Sequence, residues 1–356
     1  MIAARYLASS IFKGSVMVLL TVVSLSLFFT MIQSLENLGQ GRFGIVQFSQ
    51  YIVLLAPDMA VYFLPLSVLL GSMLSLGSLA SNSELIALQA SGLSMKRFVS
   101  IVAQAAFVLA IFAFLVDNFV VPYSETSARE IKAAGLASRA SLQSKRGVWI
   151  KDGRNIIFIQ QLFPNGNAKN IEIYHLDEND RLIQKTFARK AISKNSGWQL
   201  LQVRKTDITR QGVTRHSLKQ ELYEGNLSDQ LLQSLVIDSR KMSVLDLYSY
   251  INFLQENKLN HSAESVSFWR KIYYPLTIMV MAIMAIPFVT GSQRNSNTGQ
   301  RLIIGIILGL SYTILDNLLI QLGEQLKLPA MLNAFLPTLM FILLTLYLIR
   351  RKLMSQ

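Results

Sequence analysis

The sequence predicts an α-helical membrane protein with six transmembrane helices and a β-rich extramembrane domain inserted between helices three and four. Six apolar stretches are long enough to cross a bilayer core about 30 Å thick, which needs roughly 20 helical residues. A long block rich in charged and turn residues separates the first three from the last three. The stretches are residues 14–35, 59–83, 98–116, 272–293, 302–322 and 328–349, and only the fifth is broken by a charge, Asp316.

Composition supports this class and excludes others. Hydrophobic residues make up 51% of the 356 residues and charged ones 15%, below the soluble average of about 25%. The net charge of +13 would suggest nucleic-acid binding in a soluble protein. Here Lys and Arg cluster at helix ends and in the middle block, so no nucleic-acid partner is predicted. The first apolar run is too long for a cleaved signal peptide and is interpreted as helix one.

No motif in the chain predicts a catalytic site or a bound cofactor. There is no Walker-type phosphate loop, nucleophile elbow or HExxH sequence. The chain has no cysteine, which excludes thiolate chemistry and Cys-based metal sites. The three histidines are widely spaced, so they are interpreted as surface residues and no metal site is predicted. Any energy-driven work would therefore have to be powered by a partner.

The distribution of basic residues predicts the orientation. With the N-terminus in the cytoplasm, nine basic residues fall in cytoplasmic segments and only Arg42 and Lys327 in the short outer loops, a bias that the positive-inside rule predicts. Both termini are then cytoplasmic. The predicted domains are 1–122 with helices one to three, 123–267 as the outer β domain, and 268–356 with helices four to six. The nine residues are Arg5, Lys13, Lys96, Arg97, Arg294, Arg301, Arg350, Arg351 and Lys352.

The outer block has the pattern of short strands. Residues 148–150 and 156–159 flank an Asp-Gly hairpin signal, and residues 171–176 alternate with period two. Further strands are predicted at 181–183 and 198–203, after turns at 177–180 and 195–197, which favours a sandwich, a jelly roll or an open barrel. Residues 243–258 are predicted to form a helix with Ser243 as its N-cap, and residues 124–138 a helical extension of helix three.

A short cytoplasmic helix is predicted at about residues 82–92, between helices two and three. Ser81 followed by Glu84 fits a capping box, and Gly92 fits the position after a helix C-terminus; Ser94 can cap the next helix. One interpretation is that this helix only fills a loop. The other is a coupling helix that docks on a cytoplasmic partner through Glu84, Leu85 and Leu88, since its apolar residues favour burial.

Polar residues within the spans allow two interpretations. Asp58, Asp117 and Asp316 lie in or near spans, where carboxylates are costly and tend to face the bundle interior. They line a polar path, serve as partners for Arg270 and Lys271, or anchor helix ends at the interface. For Asp316, the deepest, a helix–helix contact is favoured.

Two further patterns concern helices one and five. Helix one carries apolar residues at helical spacing, and helix five carries Gly305 and Gly309, a G-x-x-x-G pattern that allows close helix approach. The helix-one stripe either packs ordinarily or lines a lipid cavity shared with a second subunit. Its residues are Leu27, Phe28, Met31, Ile32 and Leu35.

The whole chain resembles the LptF/LptG permease family. The resemblance rests on the order of helices and β domain, on Ser83-Glu84-Leu85 and Gln89-Ala90-Ser91-Gly92, and on residues 146–153 and Leu315-Asp316, which are more similar to the LptG branch. It implies a bacterial inner-membrane subunit that extracts lipopolysaccharide and passes it through a periplasmic jelly roll. The implied partners are an LptF-like permease subunit, two LptB-like ATPase subunits that use the ATP, and an LptC-like bridge protein.

The resemblance also implies roles for particular residues. Glu84 and its helix would dock on the ATPase, helices one and five would form gates, and Arg129 and Lys132 would contact lipid phosphates. The lysines that related chains carry near the outer end of helix one are replaced here by Thr30, Glu36 and Asn37. Arg270 and Lys271 could supply the missing charge. The alternatives are a membrane sensor with a periplasmic ligand-binding domain and an ATPase-driven mechanical transmitter that moves no lipid.

Overall fold

The computed structural model describes residues 2–40, 43–136, 148–152, 154–162, 167–177, 181–194, 197–209, 212–223, 239–256, 260–289 and 298–353. Six of its helical segments are long and apolar enough to cross a membrane, which confirms the predicted spans. The chain divides into two compact units. One comprises Met1–Ser34, Leu55–Pro122 and Ser262–Gln356; the other comprises Leu35–Leu54 and Tyr123–His261.

The helices extend beyond the apolar runs because polar residues continue the helical turns at their ends. Three of them contain an internal proline. The helices that end at Leu115 and begin at Val121 are joined without a break by a π-helical turn at Val116–Val120. The helices are α1 Ile2–Ser34, α2 Ile45–Ser81, α3 Glu84–Ala90, α4 Met95–Leu115, α5 Val121–Leu136, α6 Val244–Glu256, α7 Ser262–Met284, α8 Ile286–Val289, α9 Thr298–Gln325 and α10 Ala330–Leu353.

Helix α7 lies at the centre of the first unit. It packs against α4 and α10. Ile278 and Ala282 belong to the apolar cluster that also holds Val102 of α4, whereas Met281 joins a second cluster with Phe341 of α10. One helix therefore contributes to both buried clusters of the unit.

Glycines bring α2 close to two other helices. A Cβ at Gly71 would lie 2.4 Å from the backbone of Ser15 in α1. A Cβ at Gly305 or Gly309 of α9 would lie 2.5 and 2.0 Å from Leu70 and Leu66, respectively. The predicted close approach at Gly305 and Gly309 is confirmed, and its partner is α2.

The second unit is built on one antiparallel sheet whose described strands follow chain order. Alternate residues of the middle strands, such as Ile157, Ile171 and Trp198, are buried in a cluster with Phe253 and Leu254 of α6, which covers this face. The predicted β domain is confirmed; its closure as a jelly roll stays a prediction. The strands are β1 Val148–Asp152, β2 Asn155–Leu162, β3 Ala168–Leu176, β4 Leu182–Lys194, β5 Gly197–Thr209 and β6 Gly212–Tyr223.

Local signals in this unit agree in large part with the structure. β1 and β2 form the predicted hairpin, with Asp152 opposite Asn155. The Oγ of Ser243 accepts a hydrogen bond of 3.1 Å from the Asp246 amide, as predicted for the N-cap of α6. The predictions at residues 137–138, 178–180, 195–196 and 257–258 lie outside the described residues.

Three features differ from the sequence prediction. β6 was not predicted. α7 begins at Ser262, so residues 262–267 belong to a span rather than to the β domain. Ser81 is the last residue of α2, and its Oγ donates to the Gly77 carbonyl at 2.8 Å. The predicted Ser81–Glu84 capping box was therefore wrong, because Ser81 is still part of α2 and α3 begins only at Glu84.

Candidate functional site

Two neighbouring cations of α7 form ion pairs with two different helical segments. Arg270 pairs with Asp316 of α9. The Nζ of Lys271 lies 2.6 Å from Oδ2 of Asp117, in the π-helical turn that follows α4. The hypothesis that these carboxylates are partners for Arg270 and Lys271 is confirmed for both, and so is the helix–helix contact at Asp316.

Burial separates the two pairs. The side chains of Lys271 and Asp117 are 7% and 10% exposed. Asp316 is as buried as Asp117, but the side chain of Arg270 is 34% exposed. Lys271 is therefore nearly buried, whereas Arg270 keeps an exposed surface; the lipid contact expected of both stays a prediction.

Hydroxyl groups add two more bonds from α7. The Tyr274 hydroxyl donates to the Val61 carbonyl of α2 at 2.5 Å, and the hydroxyls of Thr277 and of Thr338 in α10 are 2.9 Å apart. Helix α7 is thus bonded to four other helical segments.

The second unit carries the predicted basic pair on one face of α5. The Nε of Arg129 donates to Glu125 at 2.8 Å, and the same carboxylate accepts from Lys241 at 3.0 Å. Lys132, one turn further along, lies 5.1 Å from the ring centroid of Tyr51. Arg129 and Lys241 therefore share one carboxylate, and neither Arg129 nor Lys132 is fully buried.

The apolar stripe of helix one is divided by burial. Leu27 and Met31 are partly buried, whereas Phe28, Ile32 and Leu35 are 52%, 47% and 46% exposed. An exposed apolar face on a membrane helix can contact lipid or another subunit. The stripe is therefore available for the predicted role, which stays a prediction.

Helix α3 is anchored to α1 at two points. The Tyr6 hydroxyl donates to Glu84 at 2.9 Å, and Leu85 is buried in the cluster that contains Leu7, with Leu88 packed against it. Ile86 of this helix is 40% exposed. Leu85 therefore anchors the helix from within, and the surface open to a partner is formed by other residues.

The end of α3 has the predicted glycine geometry. Gly92 has a φ of +94°, and the Leu93 amide donates to the Leu88 carbonyl at 3.2 Å, the long bond of a Schellman motif. Ser94 then caps α4, because its Oγ accepts from the Arg97 amide.

Arg301 was not predicted as a functional residue. Its side chain is 2% exposed, and its Nη1 donates to the Gly77 carbonyl at 2.6 Å and to the Ser81 hydroxyl at 3.1 Å. A guanidinium at carbonyls near a helix C-terminus opposes the negative end of the helix dipole. Arg301 thus joins the start of α9 to the end of α2, directly before α3. In the sequence it looked like any cytoplasmic cation.

Comparison with known proteins identifies the family. Residues 5–351 match the family described as lipopolysaccharide export system permease LptF/LptG. The chain belongs to this family. It is 30% identical over 350 residues to LptG of Haemophilus influenzae and 30% identical over 351 residues to LptG of Escherichia coli, with 98% of each chain covered.

Relatives of the LptF branch are less similar. LptF of Escherichia coli is 29% identical over 191 residues, which cover 48% of this chain and 50% of that protein. The resemblance inferred from short motifs is confirmed, including the greater similarity to LptG. As a permease of this family, the chain is a multi-pass inner-membrane subunit of a lipopolysaccharide export system, a role distinct from catalysis.

Proposed function

We propose that this chain is the LptG-type half of a permease that extracts lipopolysaccharide from the inner membrane and feeds it to an LptC-like periplasmic bridge. The observation that carries the proposal is the full-length similarity to LptG proteins, set against a half-length similarity to LptF. An LptF-like subunit supplies the other half. Two LptB-like ATPase subunits bind and hydrolyse the ATP.

The orientation follows from the basic residues at the helix ends. The positive-inside bias favours cytoplasmic termini, a cytoplasmic α3 and a periplasmic β domain. Protease treatment of spheroplasts should cleave the β domain and spare α3. Cleavage of the β domain only after lysis would contradict this orientation.

The lipid chemistry requires cations and an apolar surface. Lipid A is anionic and carries several acyl chains. Arg and Lys bind phosphate through charge-assisted hydrogen bonds, which suits the basic face of α5 at Arg129 and Lys132. The stripe of Phe28, Met31 and Ile32 suits acyl chains.

Photocrosslinking in the complete complex tests lipid export against the mechanical alternative. Probes at Met31 and at Lys132 should capture lipopolysaccharide in an ATP-dependent manner. A probe at Leu245, which is 78% exposed at the start of α6, serves as a control. The absence of lipid adducts at both test positions, with ATP hydrolysis intact, would favour a transmitter that moves no lipid.

The basic pair can be removed without leaving a buried carboxylate unpaired. In Arg129→Ala/Lys132→Ala, Glu125 keeps its bond to Lys241. Since each charge-assisted bond contributes about 1.5–3 kcal/mol, we expect lipid capture to fall roughly tenfold or more. Arg189→Ala/Lys190→Ala removes two exposed cations of β4 and should leave capture unchanged. Equal capture by the two double variants would contradict the phosphate role.

Docking of the ATPase is assigned to the exposed side of α3. Glu84→Ala and Ile86→Ala should each reduce co-purification of the ATPase subunits. Tyr6→Phe is the matched control, because it removes the internal bond to Glu84 and keeps the carboxylate. Loss of the ATPase in Tyr6→Phe as well would show that the internal bond matters rather than a contact of the carboxylate with the partner.

A further inference from the structure

The two ion pairs of α7 differ in the access that a ligand has to them. We propose that Arg270 exchanges its partner: a phosphate group of an anionic lipid replaces the Asp316 carboxylate, and the released carboxylate favours displacement of α9. The inference rests on the proposed function, since it requires anionic lipid to reach this helix.

The Lys271–Asp117 ion pair is poorly accessible to a ligand. Both side chains are nearly inaccessible, and the Nζ–Oδ2 distance is 2.6 Å. Lys271 presents a point charge that already faces a carboxylate inside the bundle. An incoming phosphate would first have to reach a lysine whose side chain is 7% exposed and displace a carboxylate that is 10% exposed.

Arg270 is placed differently, although it is the adjacent residue. About a third of its side chain is exposed. A guanidinium has five N–H donors in a planar fork that matches phosphate as well as carboxylate. A phosphate can therefore approach the exposed side of the fork while Asp316 still occupies the other, so exchange can proceed without a fully unpaired Arg270.

Exchange of the partner is energetically unfavourable for Asp316. Its side chain is 10% exposed, and a carboxylate left without its cation in the bundle is strongly unfavourable. Movement of α9 relieves this by bringing the carboxylate to water. Arrival of an anionic headgroup is thereby coupled to the position of one helix.

Helix α9 is the element best able to respond. Its apolar window is 17% buried, against 56% for α7. Its closest approaches to α2 are at Gly305 and Gly309, in the half of the helix that precedes Asp316. The half that follows Asp316 is bonded to α10, because the Nδ2 of Asn333 donates to the Ile320 carbonyl at 3.1 Å, so its displacement also requires movement at the start of α10.

Binding of fluorescent lipid A to the purified complete complex tests the exchange. Asp316→Asn weakens the internal competitor, so we expect its affinity for the doubly phosphorylated lipid to rise roughly tenfold, which corresponds to about 1.4 kcal/mol. Glu324→Gln, which removes an exposed carboxylate of the same helix, is the matched control and should bind like the wild type. Asp316→Asn/Arg270→Gln should lose the gain, because the phosphate-binding group is gone.

Parallel binding experiments with other ligands identify the source of the phosphate. A lipid A analogue without phosphates should show no gain in Asp316→Asn. Inorganic phosphate should not reproduce the gain at matched concentration. An affinity of Asp316→Asn no higher than that of the wild type, or an equal gain for the dephosphorylated lipid, would overturn the proposal; a gain with inorganic phosphate alone would overturn the lipid as its source.

A second measurement keeps Asp316 intact in case its variant does not fold. The chain has no cysteine, so spin labels at Ala263→Cys in α7 and Gln321→Cys in α9 report one distance. Addition of phosphorylated lipid A should lengthen it, and Arg270→Gln should abolish this change. A lipid-induced change that persists in Arg270→Gln would overturn the exchange. Failure of the wild type to bind lipid A would instead count against the proposed function.

Discussion

Helix α7 and the pair α1 and α9 belong to the same compact unit but are packed very differently. The apolar window of α7 is 56% buried, whereas those of α1 and α9 are 11% and 17% buried. Helix α7 also forms two ion pairs and two hydroxyl-mediated bonds to other segments. In contrast, α1 and α9 each expose long apolar faces, for example at Phe28 and Ile307.

The difference indicates a division of roles within the permease. Lipid tails are as apolar as leucine, so burial alone does not drive membrane helices together, and packing and polar bonds decide. Helix α7 has these bonds and acts as the scaffold. Helices α1 and α9 are buried over a much smaller part of their apolar windows, which leaves their outward faces available to lipid or to the other permease subunit.

The largest expected effect is from breaking the buried pair of α7. Lys271→Ala leaves Asp117 unpaired, which typically costs about 3–5 kcal/mol, so the thermal stability of the purified protein and its yield should drop sharply. The double change Lys271→Met/Asp117→Leu should recover most of the loss. A stable Lys271→Ala protein would contradict the scaffold role.

A moderate effect is expected where α1 touches α2. Gly71→Ala places a Cβ 2.4 Å from the backbone of Ser15, and overpacking of this kind costs about 1–3 kcal/mol. Thermal unfolding in detergent measures the loss. Gly299→Ala in the first turn of α9, where a Cβ meets nothing within 4 Å, should be neutral. Equal stabilities for the two variants would show that α1 does not depend on this contact.

The smallest effect on stability is expected from the exposed stripe of α1. Phe28→Ala should change the free energy of unfolding by less than about 0.5 kcal/mol, as for other exposed positions. Lipid capture by a probe at Met31 should nevertheless fall. A stability loss as large as that of Gly71→Ala would place Phe28 in the packed interior and remove the contrast between the two regions.

The sequence predicted elements with a strong local signal. The six spans were recognised from apolar stretches with at most one charged residue, since few other structures tolerate about 20 apolar residues in a row. Alternation revealed β3, because Ile171 and Ile173 face the core. Ser243 and Ser94 were recognised as caps from position alone, and both accept the expected amide bonds.

Features that depend on tertiary contacts escaped prediction. β6 lies at one edge of the sheet, and its residues up to Gln220 are exposed, so it shows no buried alternation. The sequence indicated that the aspartates could pair with Arg270 and Lys271, but it did not indicate which pairs form, since Lys271 and Asp117 are 154 residues apart. The burial of Leu85 depends on α1, and no local pattern indicates that it faces inward.

The bond from Arg301 to α2 has a mechanical consequence. It fixes the start of a 28-residue helix to the last residues of α2, directly before α3, so a shift of α3 that moves the end of α2 also moves this end of α9. At 1.5 Å per residue the helix is about 42 Å long, and a tilt of about 10° about its fixed end would carry the opposite end through roughly 7 Å. A small rotation of the helix at one face of the bilayer thereby becomes a larger displacement of its end at the other face.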